Sequence, residues 1–377
     1  MNKTTNTTIS TQLSHMPTSR LKPLLLTLLM ILCIFALASC GSSDDSAEDK
    51  TVSEGTETKC EVTGYHDQAA GNASMFLKKG DKIAVISPSA LPTEEQKDAT
   101  IEGLKKWGYV PVEGKYVCVK ERTLKNCLED LEWALTDPQT KAIFCVRGGY
   151  GSSQVMDIMP KGLIKKSKKM IIGFSDITVY HSAWGVSGLP GIHSSMSATF
   201  MDLPKECAKV EKKMLKGEVP AYKCEGSKYD KPGKAQGMLI GGNLSTYTSV
   251  INTAYDCSKT GRPYILFLEE VESNYENVHR YLTNLKHAGV LDRASGIIVG
   301  EMAYMKTESD TNSGNSRGGE FKSFYDMISR EFMNDLDVPV AYGFPAGHGE
   351  RNYPLLMNEQ VRLDVGGSGK DFTLQWK

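Results

Sequence analysis

The stretch Ala142–Gln154, A-I-F-C-V-R-G-G-Y-G-S-S-Q, joins five residues suited to a buried strand to a glycine turn and two serines at a helix start. A continuous apolar run bounded by glycines is typical of a strand covered on both faces. The serines admit three interpretations. The glycines cradle an anion, a serine is exposed as a nucleophile, or the turn is only a tight strand-to-helix connection.

The same alternation of strand and helix surrounds this stretch. The apolar runs predict strands at 82–87, 109–112, 142–146 and 170–173, and helical spacing predicts helices at 93–107, 128–135 and 152–158. This order indicates an α/β fold with a parallel sheet of the flavodoxin or Rossmann type. The loops after its strands, P-S-A, R-G-G-Y-G-S-S and F-S-D, are expected at one edge, where ligands bind in such sheets.

The pattern changes after residue 201. Lysine, glutamate, proline and glycine dominate 202–233, which predicts an interdomain linker between an N-terminal domain at 74–201 and a C-terminal domain at 234–377. The second domain is predicted to be mixed α/β. Its elements are strands at 264–268, 296–299 and 338–342 and a helix at 275–287.

The first forty residues have the features of an export signal. Arg20 and Lys22 precede Leu24–Ala38, an apolar run of about fifteen residues, which is short for a bilayer span and matches a secretory signal. The ending L-A-S-C resembles a bacterial lipobox, whose cysteine, here Cys40, is lipidated and becomes the mature N-terminus.

We therefore expect a signal peptide at 1–39, a lipid anchor on Cys40 and a disordered, acidic tether at 40–73. The protein is then an exported bacterial lipoprotein, periplasmic or at the cell surface and anchored to the membrane. The seven cysteines after Cys40 are odd in number and show no C-x-x-C spacing, so no metal site is predicted. A bridge between Cys118 and Cys127 is one pairing that the sequence leaves open.

Composition excludes several classes of protein. A chain of 377 residues with a net charge of −1 and no basic stripe gives no reason to expect a nucleic-acid partner. No period of twenty to fifty residues indicates a solenoid. The glycine turn lacks the Lys-Ser/Thr pair of a phosphate loop and the last glycine of a dinucleotide fingerprint, so no nucleotide cofactor is predicted.

Three features indicate a serine hydrolase. The Gly-Tyr-Gly-Ser-Ser turn is close to the G-x-S-x-G nucleophile elbow, in which a serine is exposed at a helix start. His348 lies between two glycines after a predicted strand. Glu269 continues one face of the strand at 264–268, and a carboxylate there needs a partner such as an imidazole. The alternatives are a surface histidine and a solvated acidic strand end. His193 could also border the site.

From about Lys79 to its C-terminus, the chain resembles the serine LD-carboxypeptidases, which are murein tetrapeptide carboxypeptidases, and the related microcin-immunity hydrolases. The resemblance rests on G-D-K-I-A-V-I-S-P-S, R-G-G-Y-G-S, I-I-G-F-S-D-I-T, G-G-N-L-S, F-L-E-E-V-E and G-F-P-A-G-H in that order. In that family a Ser-His-Glu triad, without a cofactor, removes a terminal D-alanine from a muropeptide. Members often dimerise, so the resemblance allows for a homodimer.

The resemblance implies that Ser152 is the nucleophile, Glu269 the orienting acid and His348 the general base, in a cleft between the two domains. The residues expected at the substrate are Arg147, Gly149, Ser153, Asp176 and Asn243. Arg147 is a candidate clamp for the terminal carboxylate or a support for its loop, and Asp176 could receive an amino group or cap the next helix. Ser153 is the expected oxyanion donor. The family often has H-G-P-M where this chain has H-S-S-M, which bears on the substrate.

Two other functions compete with this interpretation. One is an amidase that detoxifies a peptidyl-nucleotide-type antibiotic, as in the immunity branch, and export argues against it because those substrates act in the cytoplasm. The other is a muropeptide-binding lipoprotein without turnover. The presence of Ser152, Glu269 and His348 argues against a pure binder.

Overall fold

Two β-sheets with helices on their faces make up the structure, a computed structural model that describes residues 51–67, 73–196, 203–307 and 320–377. All of these residues belong to one compact unit, Asp49–Lys377. In this part of the chain no helix is long and apolar enough to cross a membrane. The signal peptide predicted at 1–39, Cys40 and the tether residues 41–50 lie outside the described residues.

The described residues contain fifteen strands. In chain order they are β1 (Thr51–Glu54), β2 (Cys60–Asp67), β3 (Lys82–Ile86), β4 (Val110–Glu113), β5 (Thr140–Cys145), β6 (Met170–Ile172), β7 (Gly191–His193), β8 (Glu218–Cys224), β9 (Gly233–Asn243), β10 (Tyr264–Val271), β11 (Gly296–Lys306), β12 (Val340–Tyr342), β13 (Leu355–Met357), β14 (Gln360–Val365) and β15 (Phe372–Trp376).

Nine α-helices lie between them in the described ranges. They are α1 (Glu94–Trp107), α2 (Leu124–Thr136), α3 (Ser152–Asp157), α4 (Leu163–Ser167), α5 (Thr178–Ser187), α6 (Lys205–Met214), α7 (Leu244–Thr248), α8 (Tyr275–His287) and α9 (Phe324–Ile328). Single 3₁₀ turns lie at Ala73–Met75, Ser175–Ile177 and Cys257–Lys259, and a π-helical turn, Ser329–Met333, continues α9.

The smaller sheet has the strand order β13-β7-β6-β5-β3-β4. Its strands are parallel except for β13, which runs antiparallel to β7. Because α1 to α5 cover its faces, β5 and β6 are buried along almost their whole length. The predicted α/β fold class is confirmed, and α1 and α2 begin at capping boxes on Thr93 and Thr123.

The larger sheet is mixed, with the order β1-β11-β10-β9-β14-β15-β8-β2 and with β12 paired to β11. Its centre, β9 to β12, is parallel, and β14, β15, β8 and β2 continue it antiparallel. The segment between β12 and β13 passes from this sheet to the smaller one. That segment carries His348.

The tether prediction is wrong for residues 51–67. This segment forms β1, which adds to the β11 edge, and β2, which pairs with β8. Most of its side chains are exposed or half-buried, so its order comes from main-chain pairing with existing sheet edges. A polar composition does not reveal such pairing, since no apolar face is needed.

The linker prediction for 202–233 is also wrong, because the segment contains α6 and β8. The helix buries Cys207, Val210, Glu211 and Met214, which recur at the i, i+3, i+4 and i+7 spacing of one helical face. Its other positions are rich in lysine. Composition alone therefore predicts a linker, although the spacing of the buried residues is helical.

The disulfide of the described chain joins Cys60 and Cys224, which are direct partners in the β2–β8 pair. Cys118 and Cys127, the pairing that the sequence leaves open, are both free thiols. The bond spans 164 residues and ties the segment before the α/β domain to the larger sheet.

Arg122 anchors the loop that follows β3. Its guanidinium donates to the carbonyl oxygens of Ser87, at 2.7 Å, and Ser89, at 2.6 Å. A planar fork with two parallel donors suits this arrangement, and an ammonium does not reproduce it.

Replacing Arg122 by lysine is therefore expected to lower the free energy of unfolding by about 1.5–3 kcal/mol, the range for hydrogen bonds to a charged group. Urea unfolding followed by circular dichroism measures this. Lys125→Gln, at an exposed position of α2, is the matched control and should change stability by less than about 0.5 kcal/mol. Equal stability of the wild type and Arg122→Lys would show that the loop needs no such anchor.

Candidate active site

Glu269 lies near the end of β10 and is fully buried. It continues the face of the strand that points between the two sheets, as the alternation of the sequence indicates. One carboxylate oxygen, Oε2, is 2.8 Å from His348 Nδ1. A buried carboxylate without such a partner would carry a large desolvation cost.

His348 lies in the segment between β12 and β13 and its side chain is 18% exposed. Gly347 precedes it with φ of 146°, and a Cβ at this position would lie 3.0 Å from Glu269 Oε2. The close approach of the backbone to the carboxylate therefore requires glycine. Phe174 packs on the imidazole with a ring separation of 4.7 Å.

Ser175 occupies the other side of the imidazole, with its Oγ 3.0 Å from His348 Nε2. It follows β6 after two residues and begins the 3₁₀ turn that leads into α5. Its φ of 62° lies in the left-handed region, which is uncommon for a residue with a side chain. A serine held in this conformation between a strand and a helix has the geometry of a nucleophile elbow.

Ser152 is not the serine that His348 contacts, which corrects the assignment made from the sequence. Its hydroxyl is buried close to the Tyr180 hydroxyl and makes no hydrogen bond that satisfies distance and angle within the described residues. Ser152 does begin α3 as expected, but its side chain points into the protein. The prediction that this turn exposes the Ser152 hydroxyl is therefore wrong.

Asp176 joins the loops at the carboxyl edge of the smaller sheet. Its Oδ2 accepts the Ser152 N–H at 2.9 Å and the hydroxyl of Ser89. It therefore holds the first N–H group of α3 and does not cap the helix that follows it in the chain. Its role toward the amino group of the substrate stays a prediction. Gly148, which precedes α3 in the chain, lies against Ser175, since a Cβ on Gly148 would be 2.8 Å from Ser175 Cβ.

The electrostatics of the pair favour opposite charges. Burial raises the pKa of Glu269, but the charge of His348, the hydrogen bond to it and the nearby His193 imidazole outweigh burial and lower the pKa to about 2. Burial lowers the pKa of His348, but the charge of Glu269 and the hydrogen bond to it raise the pKa above its ordinary value. The Glu269 carboxylate is thus ionised and favours an imidazolium beside it.

Two further buried carboxyl groups surround the pair. Burial raises the pKa of Glu301 to about 8, although its Oε2 accepts the Gly349 N–H at 2.7 Å. Burial likewise raises the pKa of Glu270, which accepts N–H groups from Asn243 Nδ2 and the Ser245 backbone. Of these three carboxyl groups, Glu269 is the one whose pKa lies below its ordinary value and the one that contacts the imidazole.

Asn243 serves the structure of this region. Its side chain caps α7 by accepting the Thr246 N–H at 3.1 Å, and its amide donates to Glu270. With 3% of its surface exposed, it supports the strand end that carries Glu269. Its side chain has these partners in the structure, and its predicted contact with substrate stays a prediction.

The other predicted residues lie around the same edge. Arg147 is exposed and donates to the Leu91 carbonyl at 2.8 Å. Gly149, with φ of 95°, approaches Ala90, and Ser153 is half-buried in the first turn of α3. Their substrate roles stay predictions.

His193 lies behind Glu269, fully buried between Phe174 and Phe267. Its Nε2 is 4.0 Å from Glu269 Oε1, too long for a hydrogen bond. His193 therefore lies beside Glu269 in the interior, and a role for it at the substrate stays a prediction.

Two sequence comparisons can be set beside this geometry. A family model described as the LD-carboxypeptidase N-terminal domain matches residues 83–194, and one described as the C-terminal domain of the same enzymes matches 236–363. A probable murein peptide carboxypeptidase of Bacillus subtilis is 33% identical over 72% of this chain and 85% of its own. The chain belongs to the LD-carboxypeptidase family.

Other members of the LD-carboxypeptidase family are more distant. The murein tetrapeptide carboxypeptidase of Pseudomonas aeruginosa is 28% identical over 72% of this chain and 89% of its own. The fold is shared with a muramoyltetrapeptide carboxypeptidase from Oxalobacter formigenes, at a TM-score of 0.66 and 24% identity over 78% and 97% of the two chains. It is also shared with the microcin-immunity protein MccF in complex with glutamyl sulfamoyl guanosine, at 0.65 and 20% over 80% and 98%.

Of the three side chains that meet here, sequence reasoning singled out Glu269 and His348 but not Ser175. The signal was present, because Gly173-Phe174-Ser175 is the first half of a G-x-S-x-G elbow after the predicted strand at 170–173. Across the described residues, no group of three or more His, Cys, Asp and Glu side chains could hold a metal ion.

The coupling of the buried pair predicts the titration of His348. Glu269→Gln removes the negative charge that raises the pKa of His348, so burial then dominates and the pKa should fall below its ordinary value. An NMR titration of the imidazole Cε1–H, assigned with His348→Gln, measures this shift. Glu272→Gln, at an exposed position after β10, is the control and should leave the His348 titration unchanged. An unaltered titration in Glu269→Gln would contradict the pairing.

Proposed function

We propose that this protein is a serine LD-carboxypeptidase that releases the terminal D-alanine from peptidoglycan tetrapeptides in cell-wall turnover or recycling. The observation that carries the proposal is the position of His348, whose two ring nitrogens lie 2.8 Å from Glu269 and 3.0 Å from Ser175. Membership of the LD-carboxypeptidase family and the names of its murein-hydrolysing relatives support the substrate class.

In this proposal Ser175 is the nucleophile and replaces Ser152 in that role. His348 holds its Nδ1 proton toward Glu269, so Nε2 is free of a proton and accepts the Ser175 hydroxyl. When Ser175 Oγ attacks the carbonyl carbon of the diamino acid, its proton moves to Nε2 and Glu269 stabilises the imidazolium. The elbow conformation of Ser175 presents the hydroxyl for this step.

The tetrahedral intermediate then loses D-alanine. The amine of the departing D-alanine takes the proton from His348 Nε2, and an ester remains on Ser175. Water, activated by the same nitrogen, cleaves the ester and restores the serine. The backbone N–H of Asp176, the residue after the nucleophile, is the assigned oxyanion donor, and the adjacent Gly148–Gly149 turn is placed to add a second. This replaces Ser153 as the donor.

Arg147 remains the candidate for the terminal carboxylate of the substrate. It is exposed, and the neighbouring Gly148 lies against Ser175, which supports a position of Arg147 beside the substrate. Its hydrogen bond to the Leu91 carbonyl fixes the side chain for a charge-assisted contact. Asp176 and Asn243, in contrast, hold the loops and are not assigned to the substrate.

The nucleophile is tested by mass spectrometry of disaccharide-tetrapeptide incubated with the full chain in mild detergent. The wild type should release one D-alanine per peptide, and Ser175→Ala should lose about 10⁴- to 10⁶-fold in kcat. Ser152→Ala is the matched control, because it removes a different serine hydroxyl at the same sheet edge, and it should retain most of the activity.

Loss of activity in Ser152→Ala with activity retained in Ser175→Ala would overturn this assignment. A wild type that leaves the tetrapeptide intact but cleaves glutamyl sulfamoyl guanosine would indicate the amidase function of the immunity branch. A wild type that binds the tetrapeptide and cleaves neither compound would indicate a binding protein.

We also propose that the protein is exported and attached to a membrane by lipid on Cys40, as the leader sequence indicates. The disulfide between Cys60 and Cys224 supports an oxidising compartment, because such bonds persist outside the cytosol. The tether to the lipid is then shorter than predicted, since residues 51–54 already form β1.

The anchor predicts that the mature chain begins at Cys40 and carries acyl chains. Intact-mass analysis and detergent phase partitioning of protein from the native host should show both features. Cys40→Ala should abolish acylation and move the protein to the aqueous phase, whereas Cys118→Ala should behave as the wild type. An unacylated wild type with residues 1–39 still attached would contradict the proposal.

A further inference from the structure

Residues 51–67, here called the N-terminal brace, lie outside both family matches, which cover 83–194 and 236–363. The brace nevertheless contributes the strands at the two opposite ends of the larger sheet, β1 and β2. Only five residues, 55–59, connect them, and such a stretch spans at most about 20 Å. The two ends of the sheet are thus held near each other by the brace.

The brace contacts the segment that carries His348. This segment, residues 343–354, is here called the histidine loop. Arg351 Nη1 donates to the Thr58 carbonyl at 3.0 Å, and the Tyr353 hydroxyl donates to the Cys60 carbonyl at 3.2 Å. Two carbonyl groups of the brace therefore hold residues that lie three and five positions after His348.

The packing of the two segments is close on both sides of His348. A Cβ on Gly343 would lie 2.5 Å from Thr58 Oγ1, and one on Gly349 would lie 2.7 Å from Thr56 Cγ2. The histidine loop thus has glycine where the brace crosses it. Movement of the brace would remove a wall against which the backbone on either side of His348 rests.

The brace is itself held weakly by its side chains. Every residue of β1 and β2 is exposed or half-buried, so little apolar burial fixes the segment. At β1, Glu54 accepts the N–H groups of Phe324 and Tyr325 at 2.7 and 2.9 Å. At β2 the covalent bond from Cys60 to Cys224 holds the strand, and Cys60 is the residue whose carbonyl receives Tyr353.

The disulfide lies at a surface depression of about 330 Å³, lined by both cysteines and by Lys59, Lys223 and Asp371. Cys60 is half-buried, whereas Cys224 is almost fully buried. A dithiol can therefore approach the bond from solvent. The dithiol would be oxidised to a disulfide between its own two sulfur atoms. Its two electrons and two protons would pass to Cys60 and Cys224, which become free thiols.

We propose that the N-terminal brace is a positioning segment for the histidine loop and that the Cys60–Cys224 bond locks it, so that full turnover requires the oxidised bond. The part that concerns turnover rests on the function proposed above. The part that concerns the loop does not. The protein would then reach full activity only in the compartment in which the disulfide forms.

Hydrogen–deuterium exchange of the full chain, oxidised and after reduction by dithiothreitol, tests the proposal, with alkylation and mass analysis to verify the thiol count. Reduction should increase deuterium uptake in peptides from 343–354 and leave β5 and β6 unchanged. In parallel, kcat for D-alanine release should fall about 10- to 100-fold, as for a small displacement of a catalytic group, while KM changes little.

The double variant Cys60→Ser/Cys224→Ser should reproduce the reduced state and be insensitive to dithiothreitol, and Cys118→Ser, at a free cysteine, should match the wild type. If the double variant does not fold, Tyr353→Phe decides, because it removes one contact to the brace with the disulfide intact. Like reduction, this substitution should raise deuterium uptake in residues 343–354 and lower kcat.

Equal uptake in the histidine loop before and after complete reduction would overturn the proposal. A rise that includes β5 and β6 would overturn it too, because the bond would then stabilise the whole fold. Absence of D-alanine release from the oxidised wild type would refute the proposed function instead, and the exchange measurement would still decide whether the brace positions the loop.

Discussion

The hydrogen bond between Glu269 and His348 is the interaction on which the site depends. A charged carboxylate buried between two sheets costs several kcal/mol unless a partner compensates it, and the imidazole 2.8 Å away does so. The contact also fixes the backbone, because Gly347 leaves no room for a side chain beside the carboxylate. Glu301 and Glu270 also lie near this pair, and the negative charge of either one, when ionised, adds to the rise in the pKa of His348.

The same imidazole joins the two sheets. Glu269 comes from the larger sheet, Ser175 from the end of β6 in the smaller one, and His348 from the segment that runs between them. The geometry of the three groups therefore follows from how the sheets are held together. Asp176 contributes by fixing the loop edge of the smaller sheet, and β13 contributes by pairing with β7 after the chain leaves the histidine loop.

The sequence predicts those parts of the structure that depend on local pattern. Continuous apolar runs predict the parallel strands, and the helix at 275–287 agrees with α8 because its start and its apolar face are both local signals. The choice between Ser152 and Ser175 is not local. Both follow neighbouring parallel strands at one edge, and only the direction of each side chain, set by the backbone angle and by packing on Tyr180, separates them. The Gly-Tyr-Gly-Ser-Ser turn, predicted from the sequence to be the elbow, therefore indicates the wrong serine.

The N-terminal brace shows a second limit of sequence patterns, and it has a physical cause. A loop such as 343–354 has few internal main-chain hydrogen bonds, so its conformational entropy must be offset by contacts with other segments. Glu301 supplies one such contact from the larger sheet. Thr58 and Cys60 supply two more from the N-terminal brace, whose composition is polar and tether-like. Polar residues that pair through their backbone at a sheet edge leave no hydrophobic period. Their order becomes apparent only when the sheet and the disulfide that hold them are both in place.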